Sequence, residues 1–196
     1  VQVGDSLLSR NYDIHYGGTA YITGSVPMMI KKDISTLIII GLGLMCGILL
    51  LNIRNIFSVF LIFSIIIQSL IVMAGVMGWI TYYTGSKYFY FTIINSSMPI
   101  ILLTIANSDG VHFVTRFFKE MRSGKDIRQA ISASIDKLLM PIFLTSITTI
   151  SAFLALYFAP INQLLGYGVC LSIGILYAFI LSVTFLPAAI SFKKWN

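Results

Sequence analysis

Asp109 is the acidic residue standing inside a long apolar run of this chain, and His112 follows it one helical turn later. Arg116 comes four residues after that. Spacings of three and seven put all three on one side of a helix. An ionised carboxylate at bilayer depth costs about 2.5–3.5 kcal/mol on insertion scales. A chain that keeps one there has a use for it. The chemistry open to such a group is proton or ion handling, with His112 as partner or onward acceptor. The plainer alternative is a buried carboxyl that only hydrogen-bonds neighbouring helices. Thr145, Thr148 and Thr149 share one face of a later run. Their hydroxyls either bond their own helix carbonyls or line the polar centre beside Asp109.

Other chemistries lack their residues. Cys46 and Cys170 sit in apolar runs, and no CxxC pair or His cluster accompanies them. No metal and no cofactor is expected. An intramembrane aspartyl protease needs two membrane carboxyls, and Asp109 has no fellow. A serine protease would want a Ser–His pair, and His112 has only ordinary helix serines around it. An enzyme is therefore not expected.

The elements that must position Asp109 are membrane helices. The 196 residues are 57% hydrophobic and only 10% charged, with a mean hydropathy of +0.90. Soluble domains run near 25% charged. Five runs approach or exceed the roughly 20 residues needed to span a bilayer. They cover residues 34–51, 57–80, 97–118, 138–158 and 164–190. Lipid forces backbone groups to bond internally, so these are helices. The fold class is an all-α membrane protein with a bundle of five transmembrane helices. Gly41, Gly43 and Gly47 in the first run permit close helix contact. Asn52–Asn55 reads as a tight turn, and Gly85 as a loop breaker after Trp79, Tyr82 and Tyr83. With Tyr88 and Tyr90 these aromatics suit an interfacial belt. Pro187 closes the fifth run.

Between the third and fourth runs, Gly124 stops one helix and Asp126 caps the next. Ile127, Ala130, Ile131, Ser134 and Ile135 then recur at helical spacing. This predicts a short amphipathic helix over residues 126–137, its apolar face resting on the membrane.

Lysine and arginine set the orientation. Arg54, Arg116, Lys119, Arg122, Lys125, Arg128, Lys137, Lys193 and Lys194 fall on one side, against Arg10, Lys31, Lys32 and Lys87 on the other. The richer side faces the cytoplasm by the positive-inside rule, so the N-terminus lies outside and the C-terminus inside. The net charge of +6 is mostly this bias and implies no nucleic-acid partner. An exported start with no preceding span points to a fragment of a longer protein. Residues 1–33 differ from the rest. Tyr16–Pro27 is rich in Gly, Thr and Tyr, which suits a short extracytoplasmic strand, the tail of an external domain. Residues 34–194 form the membrane unit.

The order Asp109-Gly-Val-His112-Phe-Val-Thr-Arg116-Phe-Phe-Lys-Glu120, Gly124, Ala130-Ile131, Pro141, Thr148-Thr149, Gly166, Leu186-Pro187-Ala188 resembles a known family. It is similar to the membrane half-repeat of the resistance-nodulation-division (RND) superfamily, MMPL-type exporter branch, a unit like the five helices of a sterol-sensing domain. The resemblance covers residues 15–194. It implies a proton-relay aspartate at Asp109, a histidine of the same relay at His112, and a supporting threonine pair at Thr148 and Thr149. It implies Tyr21–Pro27 as the last strand of a porter-like domain. The chain departs from the pattern where Gly110 follows Asp109 in place of a tyrosine, at Ile105, and at Ala152 ahead of Phe153.

The expected function is that of a fragment of a proton-motive-force-driven exporter of lipids or other hydrophobic molecules, in a bacterial inner membrane. Its partners would be the bilayer, the hydrophobic substrate and a second half-repeat of the same polypeptide, with homo-oligomers compatible. Two other functions fit the same residues: a SecD/SecF-like translocation accessory, and a sterol- or lipid-sensing module without transport.

Overall fold

The structure, a computed structural model, describes residues 19–53, 55–85, 89 and 94–193. The chain divides into two compact units, Val1–Leu37 and Ile38–Asn196. The described residues form helices α1 (Thr19–Ile53), α2 (Ile56–Thr84), α3 (Met98–Arg122), α4 (Ile127–Leu154), α5 (Asn162–Val183) and α6 (Phe185–Ser191). Short 3₁₀ turns at Ile94–Ser97 and Ala155–Phe158 precede α3 and follow α4. Five helical segments are long and apolar enough to cross a membrane: Lys32–Leu51, Ile56–Thr84, Ile94–Arg122, Ile127–Phe158 and Gln163–Ser191.

In the first unit, the strand expected over Tyr16–Pro27 is overturned from Thr19 onward, where the chain is already helical. Residues 16–18 lie outside the described residues. A strand needs a partner for its backbone, and no strand exists among the described residues to supply one. A helix pairs its own N–H and C=O groups, which outweighs the weak β-preference of Tyr, Ile and Thr.

In the second unit, local signals set the ends. The Asn55 side chain accepts from the Ser58 N–H at 3.2 Å and caps α2. Gly85 ends α2 in the left-handed region, φ 60°. Exposed Trp79, Tyr82 and Tyr83 meet edge to face at that end; Tyr88 and Tyr90 lie outside the described residues. Gly124, φ 86°, turns the chain between α3 and α4. There the Asp126 N–H donates to Gln129 Oε1 at 3.4 Å. Pro187 has no N–H for the carbonyl four residues back, at Val183. That is where α5 ends, so the break comes one turn before the proline rather than at it.

The expected amphipathic helix is not a separate element. Residues 127–154 are one continuous helix, with Pro141 inside it. At 28 residues α4 is about 42 Å long, more than the roughly 30 Å of a hydrocarbon core. Its apolar stripe does not rest on the membrane either. Ala130 and Ser134 are fully buried, and Ile127, Ile131 and Ile135 pack on a core that includes Phe113, Val114 and Phe117. The reason is the length of α3. It runs on to Arg122 and offers those aromatics, and the tight Gly124 turn folds α4 back onto them.

Two apolar clusters hold the bundle. One joins Met45, Leu49, Ile62, Ile65, Ile66, Phe113, Phe117, Leu186 and Ile190. The other joins Met73, Met98, Leu102, Tyr167, Leu171 and Ile175. Glycines decide the closest approaches. A Cβ on Gly168 would stand 2.2 Å from the Phe153 carbonyl oxygen, so α5 meets the end of α4 there with no side chain between. Ser172 Oγ reinforces this contact, donating to Gly168 O at 2.8 Å and lying 3.3 Å from Ile150 O. Gly41, Gly43 and Gly47, by contrast, have nothing within 4 Å of such a Cβ. The close contact they permit is not made among the described residues. Leu44, Ile48, Ile71, Met140 and Phe143 turn outward with many others, the apolar exterior a lipid-facing bundle needs.

Candidate functional site

A groove of about 450 Å³ runs between α3 and α4 and collects the polar residues of both helices. Thr104, Ser108, Asp109 and His112 come from α3. Their spacing of four, five and eight residues from Thr104 is one helical stripe. Pro141, Thr145, Ser146 and Thr149 come from α4 on the facing stripe. Apolar Ile105, Leu138 and Ile142 fill the gaps.

Asp109 is the buried member, 7% exposed. Its neighbour Gly110 explains how it is backed. A Cβ at Gly110 would lie 3.1 Å from Ile62 Cγ1, so α2 closes on α3 directly behind the carboxyl. Ala106 and Leu102 on the same helix are fully buried. Ser146 Oγ lies beside the Asp109 carboxyl. It is itself buried, and it completes no hydrogen bond of good geometry. The pair is therefore a carboxyl and a hydroxyl in reach of each other.

His112 shares the groove but is exposed, and among the described residues no ion pair joins it to Asp109. Thr145 and Thr149 line the groove; Thr148 does not. All three hydroxyls donate to their own helix. Thr145 Oγ1 bonds the Ile142 carbonyl at 2.9 Å, Thr148 Oγ1 the Leu144 carbonyl at 2.9 Å, and Thr149 Oγ1 the Thr145 carbonyl at 2.7 Å. Their oxygens keep acceptor capacity for a water or a protonated group. Sequence reasoning chose Asp109, His112, Thr145 and Thr149 and missed Thr104, Ser108 and Ser146. Stepping back from His112 by four and eight residues would have found Ser108 and Thr104.

The arrangement can hold a proton or a polar atom. It has a buried titratable group, several hydroxyls and room for several waters. No group of three His, Cys, Asp or Glu side chains that could hold a metal exists among the described residues.

The sequence pattern of the MMPL family matches residues 4–193, nearly the whole chain. The chain belongs to the MMPL family. The resemblance drawn from Asp109–Glu120 and the later glycine, proline and threonine positions is thereby borne out. As an MMPL-family chain with five apolar helices, it is an integral membrane protein. It is 29% identical over 94 residues to a membrane protein of Methanocaldococcus jannaschii, covering 48% of this chain and 24% of that protein. It is 29% and 28% identical over 139 residues to protein dispatched homolog 1 of Mus musculus and of Homo sapiens. Those alignments cover 70% of this MMPL-family chain but 9% of each relative. The chain thus spans a minor part of the curated relatives it matches.

Proposed function

We propose that this chain is the membrane half-repeat of a proton-driven exporter of lipids or other hydrophobic molecules, and that Asp109 carries the proton. The observation behind the reading is the placement of Asp109, a buried acidic side chain in the middle of the third span, in a groove walled by hydroxyls. A neutral carboxyl is tolerated at that depth, and a charged one demands partners. The two protonation states therefore favour different packing of α3 against α4. One proton entering down 100 mV supplies about 2.3 kcal/mol. A pH unit adds about 1.4 kcal/mol. That is enough to bias a helix bundle whose two states differ by a few kcal/mol.

His112, on the exposed wall, hands the proton to or from water. Thr145 and Thr149 offer oxygens along the way, and Thr148 has only a structural part. The basic side, with Arg116 to Lys137, faces the cytoplasm of a bacterial cell. Residues 1–33 lead from an external domain, and a second half-repeat covers the open side of the groove. Catalysis has no part in this reading.

A second reading, lipid sensing without transport, draws on a separate apolar groove of about 340 Å³ between α1 and α3. Leu44, Met45, Ile48 and Leu103 line it, and the Asn107 carboxamide oxygen there has no hydrogen-bond partner. Reconstituting the full-length protein with a fluorescent phospholipid separates the two. Export predicts lipid movement that follows an imposed proton gradient and stops with a protonophore. Lipid binding with no gradient-driven movement would favour sensing.

A further inference from the structure

Beyond the groove, one side-chain cluster is left unused by the proposed proton path. Glu120 lies two turns past His112 on α3, and its side chain is only 7% exposed. Three cations surround it. Arg116 Nη2 is 2.5 Å from Oε1, Lys125 Nζ is 2.5 Å from Oε2, and Lys137 Nζ is 3.6 Å from Oε1. They come from three different places: α3 itself, the turn after it, and α4. Both carboxylate oxygens are engaged, so one carboxylate ties the end of α3 to its turn and to the returning helix.

The position of this cluster is what matters. Arg116 is one turn from His112, and Lys137 directly precedes Leu138, both groove residues. The cluster therefore occupies the next turn of both helices that form the groove. Pro141 lies between Lys137 and the groove hydroxyls of α4, and it lacks the N–H that would bond the Lys137 carbonyl. The helical ladder is missing a rung at the point where the tied part of α4 meets the groove wall. Helices bend most readily at such a point. Arg116 Nε is buried without a partner, so its guanidinium has a donor left over in this arrangement.

We propose that Glu120, held by Arg116, Lys125 and Lys137, is a latch that closes the Asp109 groove at the end where α3 turns into α4. With the latch made, α4 is pinned to α3 on that side. With it broken, the first turns of α4 swing about Pro141 and the groove opens to the aqueous phase beside the turn. As a regulator of proton access this rests on the function proposed above; as a statement about groove geometry it does not.

The test reads geometry alone. Thr145→Cys, a groove position, is introduced into the full-length protein together with Cys46→Ser. A membrane-impermeant maleimide is added on the side of the α3–α4 turn, and labelling is read peptide by peptide. Cys170, which is fully buried, serves as the internal report of general loosening. Glu120→Gln should raise labelling at position 145 about tenfold, the scale on which a minor state of a two-state element becomes populated. Labelling of Cys170 should not change. Lys137→Gln removes the most exposed and most distant partner, and should give a smaller rise at position 145. No rise at 145 in either variant overturns the latch. An equal rise at 145 and Cys170 overturns it too, because that is loosening of the whole bundle. If the proton reading fails while Glu120→Gln still opens the groove, the latch stands without it.

Discussion

Ser146 Oγ lies beside the Asp109 carboxyl across the boundary between α3 and α4, and it satisfies no hydrogen bond. Buried hydroxyls are normally satisfied, most often by the carbonyl four residues back. Ser134 and Thr149 on this same helix do so. Ser146 is held in reserve beside the buried carboxyl of the groove. Ser146→Ala should therefore fold with an unchanged or slightly raised unfolding midpoint in detergent, since an unpaired buried hydroxyl stabilises nothing. Its proton flux in proteoliposomes should fall. A lowered midpoint with normal flux would make Ser146 a structural group only.

The threonines divide by their position. Thr145→Val and Thr149→Val each remove an oxygen from the groove wall and should slow proton entry. Thr148→Val changes a hydroxyl that bonds the Leu144 carbonyl outside the groove. It should run at the wild-type rate. Equal effects at Thr148 and Thr149 would mean that helix packing, not the groove, governs the response.

His112 shares the groove with Asp109 but is exposed and makes no ion pair with it. His112→Ala should reduce proton flux less than Asp109→Asn does, because water can take over on an exposed wall. A loss as deep as that of Asp109→Asn would make His112 an obligatory carrier.

Glycine substitutions test the packing. A Cβ at Gly168 meets a backbone oxygen 2.2 Å away, and a backbone atom cannot rotate aside. Gly168→Ala should cost about 1–3 kcal/mol in stability, the usual scale of overpacking. Gly43→Ala meets nothing within 4 Å. It should leave the unfolding midpoint of the chain unchanged. A normal midpoint combined with lost transport in Gly43→Ala would mark that face as a contact with another part of the full-length protein.

Much of this was legible in the residues. Long apolar runs gave the five spans because helix length and hydropathy are one-dimensional properties. The ends were harder: α4 absorbs residues 127–137, since a helix crosses from one environment to another without a break if nothing stops it. The stripe from Ile127 to Ile135 reads as an apolar helix face resting on the membrane, yet its cover is α3. A periodic pattern says that a face is apolar and not what covers it. Thr148 and Thr149 look alike in sequence, and only the roll of α4 against α3 decides that one lines the groove. Ser146 was invisible because a lone serine in a helix carries no signal until a partner is placed opposite. The strand at Tyr21–Pro27 failed for the converse reason: strands depend on neighbours, and local composition supplies none.

Proton entry through Asp109 is the central claim, and one measurement meets it directly. The full-length protein and its Asp109→Asn variant are reconstituted into vesicles with an entrapped pH dye, and a pH gradient with a potassium diffusion potential is imposed. The amide keeps the shape and hydrogen bonding of the carboxyl but does not titrate. The account predicts protein-dependent proton entry for the wild type and only the leak of protein-free vesicles for Asp109→Asn, with both proteins inserted in equal amounts. Proton entry at the wild-type rate through Asp109→Asn would contradict it and leave Asp109 a structural hydrogen-bonding group.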